Sequence, residues 1–307
     1  MNKYLIDTDI GDDIDDAFAL LHAMELGLDI VGITTVFKNT VERAKITKKL
    51  TNLYKNGYES TPVYAGHGQP LAVKVDTGSH LCQYTDDVDG YTPDSECADE
   101  AIDFIISSCK KYGRELYILA LGPFTNLAKV IERDPEVLKS IGGIILMGGA
   151  YFRQYADWNI SCDPEAAAIL YDAIPDMHCI GADVTHVLRI SEEDDKIIAD
   201  YCGRCAAKRY VSELYRLWKE EHGGKRGVLH DPLVIRYAVE PSVCECVTAP
   251  VKVITEGYAR GISLNLSAYT KAYMNPYLSG VDATDHTLAK TVDRDAVISK
   301  FVFHFKE

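Results

Sequence analysis

Tyr4-Leu5-Ile6-Asp7-Thr8-Asp9-Ile10-Gly11-Asp12-Asp13-Ile14-Asp15-Asp16-Ala17-Phe18-Ala19-Leu20-Leu21-His22-Ala23-Met24 is the stretch that decides the fold. Its apolar opening reads as the end of a buried strand, and Ala17 to Met24 as an apolar helix. Between them six aspartates fall within ten residues. Carboxylates that close cannot all stay ionised without a compensating positive charge. Ca²⁺ and Mg²⁺, which prefer oxygen ligands, are the usual compensation. An acidic turn between strand and helix also lies where open α/β sheets put their ligands, and Asp15 and Asp16 meet the positive end of the helix dipole. A capped turn would need one aspartate only. The run is not an EF-hand, because Gly11 comes too early and no Glu stands at the twelfth loop position. An Asp-x-Asp after a first strand also suits a Mg²⁺-dependent phosphatase with Asp7 as nucleophile.

Outward from this turn, strand-like and helix-like segments alternate. Ile30 to Val36 is a β-branched run typical of a parallel strand buried on both faces. Helix patterns over Val41–Tyr54, Ala98–Tyr112 and Thr125–Ile131 alternate with strand patterns at Pro62–Ala65, Leu116–Leu121 and Ile144–Met147. Asp163-Pro164 opens a further helix, with Asp at the cap and Pro in the first turn. This order predicts an α/β fold: a doubly wound, mostly parallel central sheet flanked by helices. From Ser191 to His222 the pattern changes to long amphipathic helices, predicting a helical lobe (about 191–228) over the C-terminal ends of the strands. Asp231–Val239 reads as another helix, and Val251–Val292 as antiparallel strands. No linker or repeat interrupts the chain, so one domain over 1–307 is expected.

The composition is that of a soluble globular enzyme, 47% hydrophobic and 25% charged over 307 residues. A net charge of −14 disfavours contact with phosphate backbones, so no nucleic-acid partner is expected. No run of apolar residues is long enough to span a membrane, and no signal-peptide pattern precedes the first strand. Nine scattered cysteines read as thiols of a reducing cytoplasm. Cys202-Gly-Arg-Cys205 and Cys244-Glu-Cys246 have spacing too irregular for a zinc site.

If the acidic turn holds a metal, other strand ends should converge on it. Asn39 follows the second strand, and Leu121-Gly122-Pro123-Phe124-Thr125-Asn126 follows the Leu116 strand, with Thr125 expected to cap a helix. Met147-Gly148-Gly149 ends the next strand and leads to Asp157-Trp158-Asn159. His230-Asp231-Pro232 begins a late helix and pairs a group that titrates near neutrality with a carboxylate. Singly these are ordinary turn residues; spread over strand ends, they argue for a site.

Asp7-Thr-Asp-Ile-Gly…Asp15-Asp16-Ala17, Thr34-Thr-Val-Phe-Lys-Asn39, Gly122…Thr125-Asn126-Leu-Ala, Leu146-Met-Gly-Gly149, Asn159…Asp163-Pro-Glu-Ala-Ala167 and His230-Asp-Pro232 stand in order along the chain. Together they resemble the motifs of the inosine–uridine preferring nucleoside hydrolases. The resemblance implies a Ca²⁺-dependent N-ribohydrolase that splits nucleosides into ribose and base, assembled as a homodimer or homotetramer. It implies Asp9, Asp16, Asp231 and the carbonyl of Leu121 as metal ligands, with Asp9 also the general base. Asp15, Asn39, Met147, Asp157 and Asn159 would contact the substrate, chiefly its ribose. His230 would face the leaving base as its acid. His80, in a loop that only loosely matches the family's, and Trp218 are further substrate contacts.

Departures from the pattern leave points open. The acidic loop carries two extra residues, so either Asp13 or Asp15 takes the inner place. Asp157 stands where relatives carry the longer Glu, and Leu121 where Thr is familiar. Such chemistry would pass through an oxocarbenium-like state, stabilised by nearby carboxylates. The lobe aromatics Tyr210, Tyr215 and Trp218 either stack on the base or pack an amphipathic helix. Two alternatives remain beside the hydrolase: the aspartyl phosphatase, and a non-catalytic calcium- or nucleoside-binding protein. Base specificity is open.

Overall fold

The computed structural model describes residues 2–267 and 283–306. Its elements run β1 (Lys3–Thr8), α1 (Asp15–Glu25), β2 (Asp29–Thr35), α2 (Thr40–Tyr54), β3 (Val63–Ala65), α3 (Ala98–Tyr112), β4 (Leu116–Ala120), α4 (Thr125–Arg133) and β5 (Gly143–Met147). Then follow α5 (Trp158–Cys162), α6 (Pro164–Ala173), β6 (His178–Ile180), α7 (Ala182–Thr185), α8 (Glu192–Ala199), α9 (Ala206–Glu221) and α10 (His230–Val239). The chain closes with β7 (Cys244–Val253), β8 (Ser263–Asn265), β9 (Thr284–Val292) and a C-terminal helix, α11 (Arg294–Phe303).

The strands form one nine-stranded sheet in the order β3-β2-β1-β4-β5-β6-β9-β7-β8. From β3 to β9 all neighbours are parallel, while β7 runs antiparallel to β8 and β9. Helices cover both faces, which is why β1 and β2 are continuous apolar runs rather than alternating ones. On one face Phe18 of α1 meets Tyr215 of α9 and Phe301 of α11, at ring-centroid distances of 5.2 and 5.0 Å. On the other, Ile105, Leu127 and Tyr171 of α3, α4 and α6 fill a second core.

The expected doubly wound sheet is thus present, with two differences. Strand β9 was expected in an antiparallel segment, yet it pairs parallel with β6 as well as antiparallel with β7. Strand β6 is three residues long, too short to carry a periodic signal, so the parallel partner that β9 joins was invisible. The part of that expectation over 268–282 lies outside the described residues. Thr125 does not cap α4: Phe124 holds the cap position without a side-chain bond, and the Thr125 hydroxyl donates instead to Asp163 at 2.7 Å. Asp163 caps α6 as expected, accepting from the Ala166 amide. Among the described residues no helix is long and apolar enough to cross a membrane.

Candidate active site

The C-terminal ends of β1, β4, β5 and β6 open into a cavity of about 640 Å³. Its wall includes Asp9, Asp12, Asp13, Asp15 and Asp16 from the acidic turn, Leu121 after β4, and Met147, Asp157 and Asn159 after β5. His230 and Asp231, at the start of α10, close it from above the sheet. His80 lines it as well. Residues as far apart in sequence as Asp9 and Asp231 therefore share one wall.

The acidic turn is built to be rigid. Gly11 takes a φ of +126°, which L side chains rarely adopt, and a Cβ there would lie 2.8 Å from Leu81 Cδ1. Arg43 of α2, fully buried, reaches under the turn. Its guanidinium donates to the Asp9 carbonyl, to the Ile10 and Phe37 carbonyls at 2.8 Å each, and to the Asp12 carboxylate at 2.8 Å. The Thr8 hydroxyl donates to Asp16, and the Asp9 amide to the same oxygen at 3.2 Å. Gly122 lets β4 approach, since a Cβ there would sit 2.8 Å from Asp9 Oδ1.

Asp15, Asp16 and Asp231 are buried and offer carboxylate oxygens within 4.8 Å of one another. The Asp231 amide also donates to Asp15 Oδ2 at 3.4 Å. Burial first, then the mutual repulsion of these carboxylates, holds Asp9, Asp15 and Asp231 well above the ordinary carboxylate range. Burial lifts Asp16 to about 6 despite the Thr8 hydrogen bond. Arg43 offsets part of this charge at Asp9 and Asp16, but its donors are spread over carbonyls and Asp12. A set of crowded hard oxygens whose charge the protein leaves uncompensated fits a hard divalent cation. The triad that comes together contains Asp15, whereas the resemblance implied Asp9 beside Asp16 and Asp231; Asp9 adjoins it through Asp16. Asp13 lies on the cavity wall outside that triad.

Asn159 ties two strand ends together. Its Nδ2 donates to the Leu121 carbonyl and to the Met147 carbonyl at 3.0 Å. Asp157 caps α5, accepting from the Asn159 and Ile160 amides; both are buried. Asn39 caps α2, accepting from the Glu42 amide at 3.3 Å, and is absent from the cavity wall. Lys38, just before it at a φ of 55°, reaches the wall instead.

At the other end stand imidazoles and aromatics. His230 Nδ1 lies 2.5 Å from the Thr185 hydroxyl. Burial, then the neighbouring His186, pushes its pKa down to about 3, so the ring is neutral near pH 7. His186 meets His230 edge-on at 5.4 Å and stacks on Tyr155 at 6.0 Å. From the lobe, Glu221 and His222 reach the wall at the end of α9. The three lobe aromatics are buried and not part of it. Tyr210 lies under Lys49 Nζ at 4.0 Å, Tyr215 donates to Asp195, and Trp218 is sandwiched between Tyr215 and His222. Their packing role prevails, because α9 turns that stripe toward α1 and α2.

Sequence reasoning missed Arg43, Tyr155, His186 and His222. Arg43 sits on the inward face of α2, a place where arginine is rare unless paired. The other three carry no local pattern.

Asp7, the nucleophile of the phosphatase reading, is fully buried beneath the site. It accepts from Thr34 at 2.5 Å and Asn126 at 2.8 Å, and it does not line the cavity. Nothing there is open to in-line attack. The family model of the inosine-uridine preferring nucleoside hydrolases matches residues 4–299. The chain belongs to this family. Uridine nucleosidase 1 of Arabidopsis thaliana is 32% identical over 284 residues, covering 85% of this chain and 81% of that protein. The inosine-uridine preferring nucleoside hydrolase of Crithidia fasciculata is 25% identical over 300 residues, with 89% of each covered. A solved plant nucleoside hydrolase, the PpNRh1 enzyme, superimposes with a TM-score of 0.83 at 28% identity, covering 99% of this chain and 98% of that one. As a nucleoside hydrolase the chain is an enzyme that hydrolyses ribonucleosides, and the phosphatase and pure-binder readings fall away.

Proposed function

We propose that this nucleoside hydrolase works with one Ca²⁺ held by Asp9, Asp16, Asp231 and the Leu121 carbonyl. The observation that carries the reading is the buried carboxylate group of Asp15, Asp16 and Asp231, within 4.8 Å of one another at the end of the sheet, with Asp9 beside it through its amide bond to Asp16. The chemistry a bound cation supplies there is Lewis-acid activation of the attacking water and a grip on the two vicinal ribose hydroxyls.

This chain's residues then divide the work. Asp9 is the general base that takes the proton from the attacking water. Asp15 holds a ribose hydroxyl beside it. Asp157 and Asn159, fixed by α5 and the ends of β4 and β5, hold the sugar from the other side. Their oxygens stabilise positive charge as the glycosidic bond lengthens. His230 faces the departing base. In the tautomer whose Nδ1 accepts from Thr185, the ring proton sits on Nε2, and the neutral imidazole offers it as a hydrogen bond. Asn39 acts through the turn it caps rather than by touching ribose.

The test is reducing-sugar release from a panel of ribonucleosides and 2′-deoxynucleosides by parent enzyme and Asp9→Ala. The reading expects Asp9→Ala to lose turnover and metal affinity together, and 2′-deoxynucleosides to react poorly because one hydroxyl ligand is missing. Equal activity on both sugars would contradict it.

A further inference from the structure

Tyr155 lies between β5 and α5 and lines the same cavity. Its ring is parallel to the His186 imidazole, 11° between planes and 6.0 Å between centroids. His186 in turn meets His230 edge-on. The Tyr155 hydroxyl is buried and has no hydrogen-bond partner. Buried hydroxyls are paired in the great majority of cases, and an orphan costs about 1–3 kcal/mol. The hydroxyl is thus left free to donate, on a residue that lines the active-site cavity.

We propose that Tyr155 binds the leaving base, its hydroxyl donating to a ring nitrogen or carbonyl oxygen on which negative charge collects as the base departs. This rests on the nucleoside-hydrolase reading above. His186 backs the phenol ring and fixes its direction, and it couples the phenol to His230 on the same side of the cavity. Burial, aided by the charges of Asp183 and Asp157, pushes the phenol up to about 12, so it stays protonated through the neutral range. It therefore acts by hydrogen bonding, with no net proton transfer from the phenol. Two neutral donors, Tyr155 and His230, would then share the leaving group, and a base with acceptor atoms on adjacent edges would suit the site best.

The experiment uses the full metal-loaded enzyme and Tyr155→Phe, which removes the hydroxyl and keeps the ring on His186. Both are assayed on inosine, on 5′-deoxyinosine and on p-nitrophenyl riboside, whose leaving group needs little help. The expected result is a fall in kcat of about 100-fold on both inosine substrates, with p-nitrophenyl riboside changed less than about 3-fold. Equal loss on inosine and p-nitrophenyl riboside would overturn the proposal. So would a loss seen with inosine and absent with 5′-deoxyinosine, which would assign the hydroxyl to the 5′ end of the sugar. No loss on any substrate would also overturn it, leaving a water bridge to Asp183, whose Oδ1 is likewise unpartnered. Turnover of p-nitrophenyl riboside by the parent enzyme checks the functional reading separately.

Discussion

Asp9, Asp15 and Asp16 reach the cavity from one short turn, strapped from below by a buried arginine that bonds to three backbone carbonyls. At the opposite end, Tyr155, His186 and His230 come from three separate segments and touch through ring faces and edges. The first region carries charge that Arg43 offsets only in part. The second is neutral, partly solvent-facing, and holds an unused donor. The difference teaches where each kind of work is done. Fixed charge needs a rigid frame, because small displacements between like charges are costly. Recognition of a base needs hydrogen bonds and flat surfaces, which can be assembled from distant loops.

The largest expected effect is at the acidic end. Asp231→Ala should lower kcat by about 1,000-fold or more, because several kcal/mol of transition-state stabilisation leave with the metal. Calorimetric titration of the variant with Ca²⁺ should show the matching loss of affinity. Retention of both activity and metal binding would remove the frame on which the comparison stands.

A sharper test separates Asp9 from Asp15. Asp9→Asn should weaken Ca²⁺ binding and turnover together. Asp15→Asn should leave Ca²⁺ binding within about 3-fold while raising KM and lowering kcat for ribonucleosides. The reverse ranking of metal affinities would make Asp15 the ligand, as its place in the carboxylate triad permits.

At the neutral end, His230→Ala should cost about 100-fold on ordinary nucleosides and far less on p-nitrophenyl riboside. Equal losses would turn His230 into a residue that positions α10 and its neighbour Asp231. Trp218→Phe should change kcat by less than about 3-fold, because the indole packs between Tyr215 and His222. A larger loss would put the lobe aromatics back over the base.

How much of this was legible follows the same division. The acidic turn and the order of strands could be read because each is local: β1, α1 and β2 carry their own periodicity, and six aspartates in ten residues are more than helix capping requires. Asp157, Asn159 and Asp231 could be placed at strand and helix ends for the same reason. The neutral end could not be read, since His186 follows a four-residue helix and Tyr155 lies in a loop, and neither position has a periodic neighbour. Asn39 misled because a residue after a strand can point into the cavity or turn back to cap the next helix. The left-handed backbone at Phe37 and Lys38 sends it to the cap. Trp218 lies in the aromatic stripe of α9 that packs, while the helix end carries Glu221 and His222 to the wall.

The smallest effect lies away from both ends and appears in stability. His286 is fully buried with both ring nitrogens unpartnered, and burial pushes its pKa down to about 4 from an ordinary 6.5. The unfolded chain takes up this proton first, so the stability held above pH 6.5 is lost as pH falls toward 4. His286→Phe keeps an aromatic ring on Tyr171 and should flatten the fall in melting temperature over that window. An unchanged slope would assign the acid sensitivity to other groups.

Reducing-sugar release from inosine and uridine, measured before chelation, after chelation verified by metal analysis, and after Ca²⁺ is returned, tests the central claim most directly. The account predicts that turnover falls to background in the stripped protein and returns with Ca²⁺. Full turnover by protein shown to be free of metal would contradict it.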